Sequence, residues 1–304
     1  MPARVVGGVP IPDEAYTLLG NAYSPCPGYA TTCGALRIRF EPAAGHVPRG
    51  FVGGYLGAES VRLIVVGAEP GDPYPGENHA GDGTPPAQLE SSLSVTAACH
   101  RNGPDAFHRN MRHLLELCWP GLSVEDQLSV TWITDSVLCS APEEGGNVRR
   151  PVWRECRDRF LKKQLDIFPH ALVMALGGKA AERLADIIEG RQWIQASAVA
   201  PPGANKPSAR ESWRLAADRF RQFMAPELRL LELAIDACLA YPPDKIVERR
   251  AALRAFEREL PAPTYFAAID YAIAGKYDVE PVPEALMRIA IAQRRRARTL
   301  VRRW

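Results

Sequence analysis

Three loop segments concentrate the side chains that can carry charge or move a proton. The first, GAEPGDPY at 67–74, holds Glu69 and Asp72; the second begins at Asp135; the third, ANKPSAR at 204–210, holds Asn205, Lys206, Ser208 and Arg210. Carboxylates and an amine brought to one place are the equipment of general acid–base and electrostatic catalysis. Sulfur forms a second set. The cysteines number seven, an odd count, and the opening MPARVVGGVPIPDE has no basic region followed by an apolar stretch. Free thiols or metal ligands are therefore expected rather than a disulfide framework. Cys26 and Cys33 form one close pair, while Cys139 and Cys156 flank a loop and the first turns of the next helix. Four such thiolates can bind a [4Fe–4S] cluster. The first pair is spaced more widely than the usual two-residue gap, which leaves a structural zinc or no metal open. His79, His100, His108 and His113 lack compact ligand spacing, and Cys99, Cys118 and Cys238 read as buried apolar thiols.

The elements that must position these groups are legible as short apolar runs. VRLIVV at 61–66 ends in the Gly67 turn, LSVTWITDSV covers 128–137, and ALVMAL at 171–176 stops at Gly177-Gly178. Each reads as a buried strand, and a fourth is expected over 193–199. Helical spacing over 153–168, from Gly177 to Ile188, and over 211–224 alternates with the strands. The expected class is α/β, a three-layer sandwich around a central, mostly parallel four-stranded sheet. In such sheets ligands sit beyond the carboxyl ends of the strands, where the loops at 67–79, 135–147 and 200–210 gather. The domain reading is an N-terminal arm at 1–47, an α/β domain at 48–225 and a helical appendage at 226–304, with proline breaks and no internal repeat.

The net charge of +2 is neutral evidence about nucleic acid, but its distribution is uneven. Between Arg288 and Arg303 there are seven arginines, among them Arg294, Arg295 and Arg296, and no acid. Such a face suits DNA phosphates, or is a solvated helix end. No apolar run reaches the roughly 18 residues of a spanning helix, so the expectation is a cytoplasmic chain with no membrane partner; no obligate protein partner is evident. The loop after the first strand lacks G-x-G-x-x-G and contains Glu69-Pro70, which argues against a nucleotide cofactor.

Taken in order, LIVVGAEPG at 63–71, ITDSVLC at 133–139 and the segment 168–181 with its ALGGKAA resemble the uracil-DNA glycosylase superfamily, most closely its iron–sulfur class. The similarity spans roughly residues 48–224, and Cys139 and Cys156 fall where that class places two cluster ligands. The resemblance implies a hydrolase that flips a base out of DNA and cleaves its N-glycosidic bond. It implies that Glu69 offsets positive charge on the sugar and accepts a proton from the attacking water; a purely structural Glu69 would instead bind the loop's backbone amides. Asp72 is a second candidate for that work, outside the expected register. Gly71 replaces a tyrosine that in some relatives excludes groups at pyrimidine C5, and Tyr74 is a candidate to stack on the base.

Asp135 stands where uracil-specific relatives often carry asparagine. A carboxylate accepts from the cytosine amino group, and when protonated it can donate to N3; the plain alternative is a turn cap, or a partner for Arg149 or Arg150. Because excision of ordinary cytosine would damage the cell's own genome, a modified cytosine is the expected target. The superfamily includes a bacterial antiviral branch that excises glucosylated hydroxymethylcytosine from phage DNA, and the chain resembles it at Asp135 and Gly71. Lys206 replaces a histidine that donates to the base O2; it could serve the base, contact phosphate while Asn205 serves the base, or attack the sugar to form a Schiff base. Ser208 belongs to the same string, and Arg210 would plug the gap left by the flipped nucleotide or touch phosphate. Two further readings stay open: a uracil-DNA glycosylase of base-excision repair, and a catalytically silent DNA-binding module on the same fold.

Overall fold

The protein is described here by a computed structural model covering residues 3–143, 146–242, 244–256 and 258–260, with the side chains of residues 235, 238 and 239 left out. The arginine-rich stretch with Arg294, Arg295 and Arg296, and the Cys238 side chain, therefore lie outside the described residues. The chain opens with a hairpin of β1 (Ala3–Val6) on β2 (Val9–Pro12). Its two-residue turn, Gly7-Gly8, has φ of 56° and 77°, the positive values that a tight hairpin turn of matching twist demands. Helix α1 (Asp13–Gly20) follows.

The central sheet has five strands: β3 (Val52–Gly53), β4 (Leu63–Gly67), β5 (Thr131–Asp135), β6 (Leu172–Leu176) and β7 (Trp193–Ala196), in the spatial order β3-β5-β4-β6-β7. Four run parallel, and β3 pairs antiparallel with β5. The expectation of four strands thus needs correction by one short edge strand, two residues long, too brief for any periodicity to register. Every residue of β5 and β6 is buried, as in sheets covered on both faces. Side chains of consecutive strand residues point to opposite faces. Trp119 Nε1 donates to Thr131 Oγ1 (2.9 Å) and Trp132 Nε1 to Gln164 Oε1 (2.9 Å), so the faces carry different helices. α2 (Pro85–Asn102), α3 (Ala106–Cys118) and α4 (Val124–Ser129) connect β4 to β5; α5 (Arg150–Cys156), a π-type turn at Arg157–Leu161 and α6 (Lys162–Ile167) connect β5 to β6. α7 (Gly177–Leu184) leads to β7, and α8 (Ala209–Leu239) and α9 (Ile246–Arg254) follow.

Three boundaries differ from the sequence reading. The second strand starts at Thr131 because Ser123 caps α4, accepting from Asp126 N–H at 3.2 Å, and carries the helix through Leu128 and Ser129. β7 ends at Ala196 because the backbone of Ser197 is taken by α8: its N–H donates to Ser212 Oγ (2.9 Å) and its carbonyl accepts from Trp213 Nε1 (2.8 Å). α8 runs through Pro226 to Leu239. An interior proline removes a helix hydrogen bond, yet Leu228, Leu231 and Ala234 beyond it are buried in the same core as the sheet, and Glu227 pairs with buried Arg62 (2.9 Å). The chain therefore does not break at 225/226. Among the described residues no helix is long and apolar enough to cross a membrane.

Candidate functional site

The ends of β4 and β5 are neighbours, and their loops are stitched together: Ser136 N–H donates to the Gly67 carbonyl (2.9 Å) and Val137 N–H to the Ala68 carbonyl (3.0 Å). This places Glu69 beside Asp135. Across the sheet, Gly177 turns β6 directly into α7; its φ of +83° is in the region that favours glycine, and a Cβ there would meet Ala198 at 3.1 Å. Positions four apart share a helix face, so Lys179 and Arg183 of α7 both reach back to Glu69. Lys179 Nζ lies 2.7 Å from Oε1 and Arg183 Nη1 2.6 Å from Oε2. The Glu69 side chain is 8% exposed, Arg183 3% and Lys179 43%. Arg183 also donates to the Ala68 carbonyl (2.7 Å) and Ser136 Oγ (3.0 Å), whereas the other contact of Lys179 is the Gly146 carbonyl (2.8 Å). Sequence reading passed over both cations; their signal was the i, i+4 spacing in GGKAAER.

Asp135, the last residue of β5, is 7% exposed. Its carboxyl is wedged between two glycines: a Cβ at Gly50 would fall 2.2 Å from Oδ2, and one at Gly67 2.1 Å from Oδ1. Among the described residues it has no hydrogen-bond or ion-pair partner; Arg149 and Arg150 are exposed at the start of α5 and neither pairs with it. Burial pushes its pKa well above the ordinary carboxylate range, and the nearby Glu69 adds to this against Arg183 and Arg49. Burial thus favours the protonated form of Asp135, which can donate as well as accept.

The loop that follows Glu69 is fixed from below by Arg49. Its guanidinium donates to the Gly71 carbonyl, to Ser140 Oγ (3.1 Å) and to Glu77 Oε1 (2.9 Å). Glu77 also accepts from Tyr74 N–H (2.9 Å) and lies 2.7 Å from His79 Nε2. Burial works against ionisation of Glu77, but these partners together hold its pKa low. Asp72 points elsewhere: it pairs with Arg39 of the N-terminal arm. The hydroxyl of Tyr74 donates to Asp105, the N-cap of α3, which also holds the His108 ring. Tyr74 is thus tied to α3, with its pKa raised by burial and by Asp105.

The third loop lies at the same end of the sheet, since Gly203 approaches Ala198 as Gly177 does, a Cβ falling 2.9 Å away. Asn205, Lys206, Ser208 and Arg210 are all exposed. Among the described residues Lys206 and Arg210 pair with no acid, and no contact joins Lys206 to Glu69 or Asp135.

Cys26, Cys33, Cys139 and Cys156 line a single small cavity, walled by Tyr29, Phe40, Val137 and Val152. All four are free thiols. Cys33 ends a π-type turn, Tyr29–Cys33, and Cys156 ends α5. Burial and then the neighbouring sulfurs push Cys139 well up, burial takes Cys156 to about 12, and burial with Cys26 takes Cys33 to about 11. Leu138 N–H donates to Cys156 Sγ (3.4 Å). Four thiols crowded in an apolar space, unfavourable as bare thiolates, suit a group that carries positive charge of its own. Among the described residues no three His, Cys, Asp or Glu side chains are arranged to hold a single ion.

Comparison of the chain with protein-family models and with curated proteins finds no match, so what the site does must be argued from its own geometry.

Proposed function

We propose that the chain is a DNA glycosylase that hydrolyses the N-glycosidic bond of a flipped-out modified cytosine, such as glucosylated hydroxymethylcytosine in phage DNA, and leaves an abasic site. The observation that carries this reading is the pairing of two carboxyl groups in unlike surroundings: Glu69, held by two cations, beside Asp135, unpaired and buried where the protonated form is favoured. Environments that drive neighbouring acids apart in protonation mark acid and anion roles. Protonated Asp135 would donate to cytosine N3 and draw electrons from the departing base. The Glu69 carboxylate would face the oxocarbenium-like sugar and accept the proton of the water that attacks C1′. Base, abasic sugar and protons then balance with one water consumed. Exposed Lys206 and Arg210 suit backbone phosphates, and the superfamily kinship suggested by the sequence motifs remains part of this proposal.

Cys26, Cys33, Cys139 and Cys156 would hold a [4Fe–4S] cluster. Four sulfurs spread around a cavity suit a polynuclear group better than zinc, which needs each sulfur about 2.3 Å from one point. When bound, the cluster supplies a structural cross-link between the N-terminal arm and the loop after β5.

Oligonucleotides carrying uracil, cytosine, hydroxymethylcytosine or its glucoside, treated with the protein and then alkali, test the reading. Strand scission at the modified cytosine is expected, with Glu69→Gln slower by about 100-fold or more. Release of uracil alone would discard the cytosine assignment. The occupied oxygens of Glu69 favour a second reading, a module that binds DNA without reacting; binding with no base released from any substrate selects it.

A further inference from the structure

The carboxylate assigned to the sugar carries one negative charge against two positive ones, Lys179 at 2.7 Å and Arg183 at 2.6 Å. Two cations on one carboxylate leave net positive charge beside the place where a cationic sugar must form, an unfavourable arrangement. The two cations are not equivalent. Arg183 is 3% exposed and anchored by a backbone carbonyl and a hydroxyl as well as Glu69. Lys179 is 43% exposed on a flexible stem, and its second partner is one carbonyl, that of Gly146. Just along the chain from Gly146, Arg149 and Arg150 are exposed and pair with no acid among the described residues.

We infer that Lys179 is a ligand for a DNA backbone phosphate, resting on Glu69 in the free protein and leaving it when the strand arrives. An ammonium is a compact, mobile point charge, and a phosphate, which the exposed Arg149 and Arg150 a few residues beyond Gly146 would also attract, offers it an equivalent anion. Its departure restores one-to-one charge at Glu69, with Arg183 still orienting the carboxylate, and frees Oε1 for the attacking water. DNA thus switches on its own hydrolysis, and the charge at Glu69 is uncovered only when a strand is bound.

The inference rests on the glycosylase reading, and its test separates the two. Equilibrium binding to duplex DNA carrying a tetrahydrofuran abasic-site analogue is measured across a salt series for the wild type, Lys179→Gln and Lys179→Arg, with thermal melts to verify folding. Loss of one phosphate contact should lower the slope of log K against log salt by about 0.9 in Lys179→Gln, with weaker binding at low salt; Lys179→Arg should keep the slope. In single turnover at saturating protein, Lys179→Gln should release base faster than the wild type. An unchanged slope overturns the inference, and so does slower single-turnover release, which would mean that Lys179 is needed on Glu69 during the reaction. A wild type that binds DNA with the full slope but releases no base removes the enzyme reading alone, and the slope still decides Lys179. A wild type that binds no DNA removes both.

Discussion

Oδ1 of Asp135 lies 2.1 Å from the point where a side chain at residue 67 would begin, so Gly67 and Asp135 specify one another across two parallel strands. Gly67→Ala should force one of them to move and cost about 1–3 kcal/mol, the usual range for overpacking a filled interior. Asp135→Ala removes the obstruction, so the double variant should recover most of that loss. A double-mutant cycle by denaturant unfolding measures the coupling; additive losses would show that the wedge is not the cause.

The protonation of Asp135 has a sign that can be checked. Its folded-state pKa is raised, so the folded chain binds a proton that the unfolded chain releases near the ordinary value of about 3.9. The associated stability is whole below that unfolded value and is lost as pH rises through the folded value. Unfolding midpoints across pH should show this loss in the wild type and not in Asp135→Asn. Base release that needs the neutral acid should decline over the same rise. The amide in Asp135→Asn should flatten the profile and move preference from cytosine toward uracil, read from the same set of oligonucleotides.

Arg183 is buried with Glu69, and removing one member of a buried pair strands the other. Arg183→Met is expected to cost about 3 kcal/mol in denaturant unfolding, partly relieved by Lys179. Arg183→Lys should fold better yet release base slowly, because all three contacts, to Glu69, the Ala68 carbonyl and Ser136, come from Nη1, and the lysine stem ends about one bond short of that nitrogen.

Anaerobic purification should yield protein with iron and acid-labile sulfide in equal amounts, and Cys→Ser at 26, 33, 139 or 156 should lower that content and the melting temperature. Zinc at one equivalent with no iron would reject the cluster assignment; serine at Cys118, buried but not among the residues lining the cavity, should leave the iron content unchanged.

The strands β4 and β5 are legible as apolar runs with β-branched residues, and with them the positions of Glu69 and Asp135, because both acids sit where such a run meets a loop. What stayed hidden depends on contacts between distant residues. β3 is two residues in an irregular arm, and α8 crosses Pro226 only because Leu228, Leu231 and Ala234 find the core. Asp72 looked available beside Glu69, but Arg39, 33 residues earlier, takes it. The glycine wedge at 50 and 67 leaves no mark in periodicity. Lys179 and Arg183 were visible as a helical pair; their common partner, 110 and 114 residues away, was not.

Asp135 and Cys139 are four residues apart on the connection leaving β5, a stretch that spans at most about 14 Å when fully drawn out. So short a tether has no slack to absorb movement at its far end. Whatever occupies the sulfur-lined cavity therefore bears on the footing of Asp135, the acid proposed to meet the base. On the proposed reading, filling of the sulfur site and alignment of Asp135 would be one event, and a chain lacking the first would carry an intact acid on an unsteadied stalk.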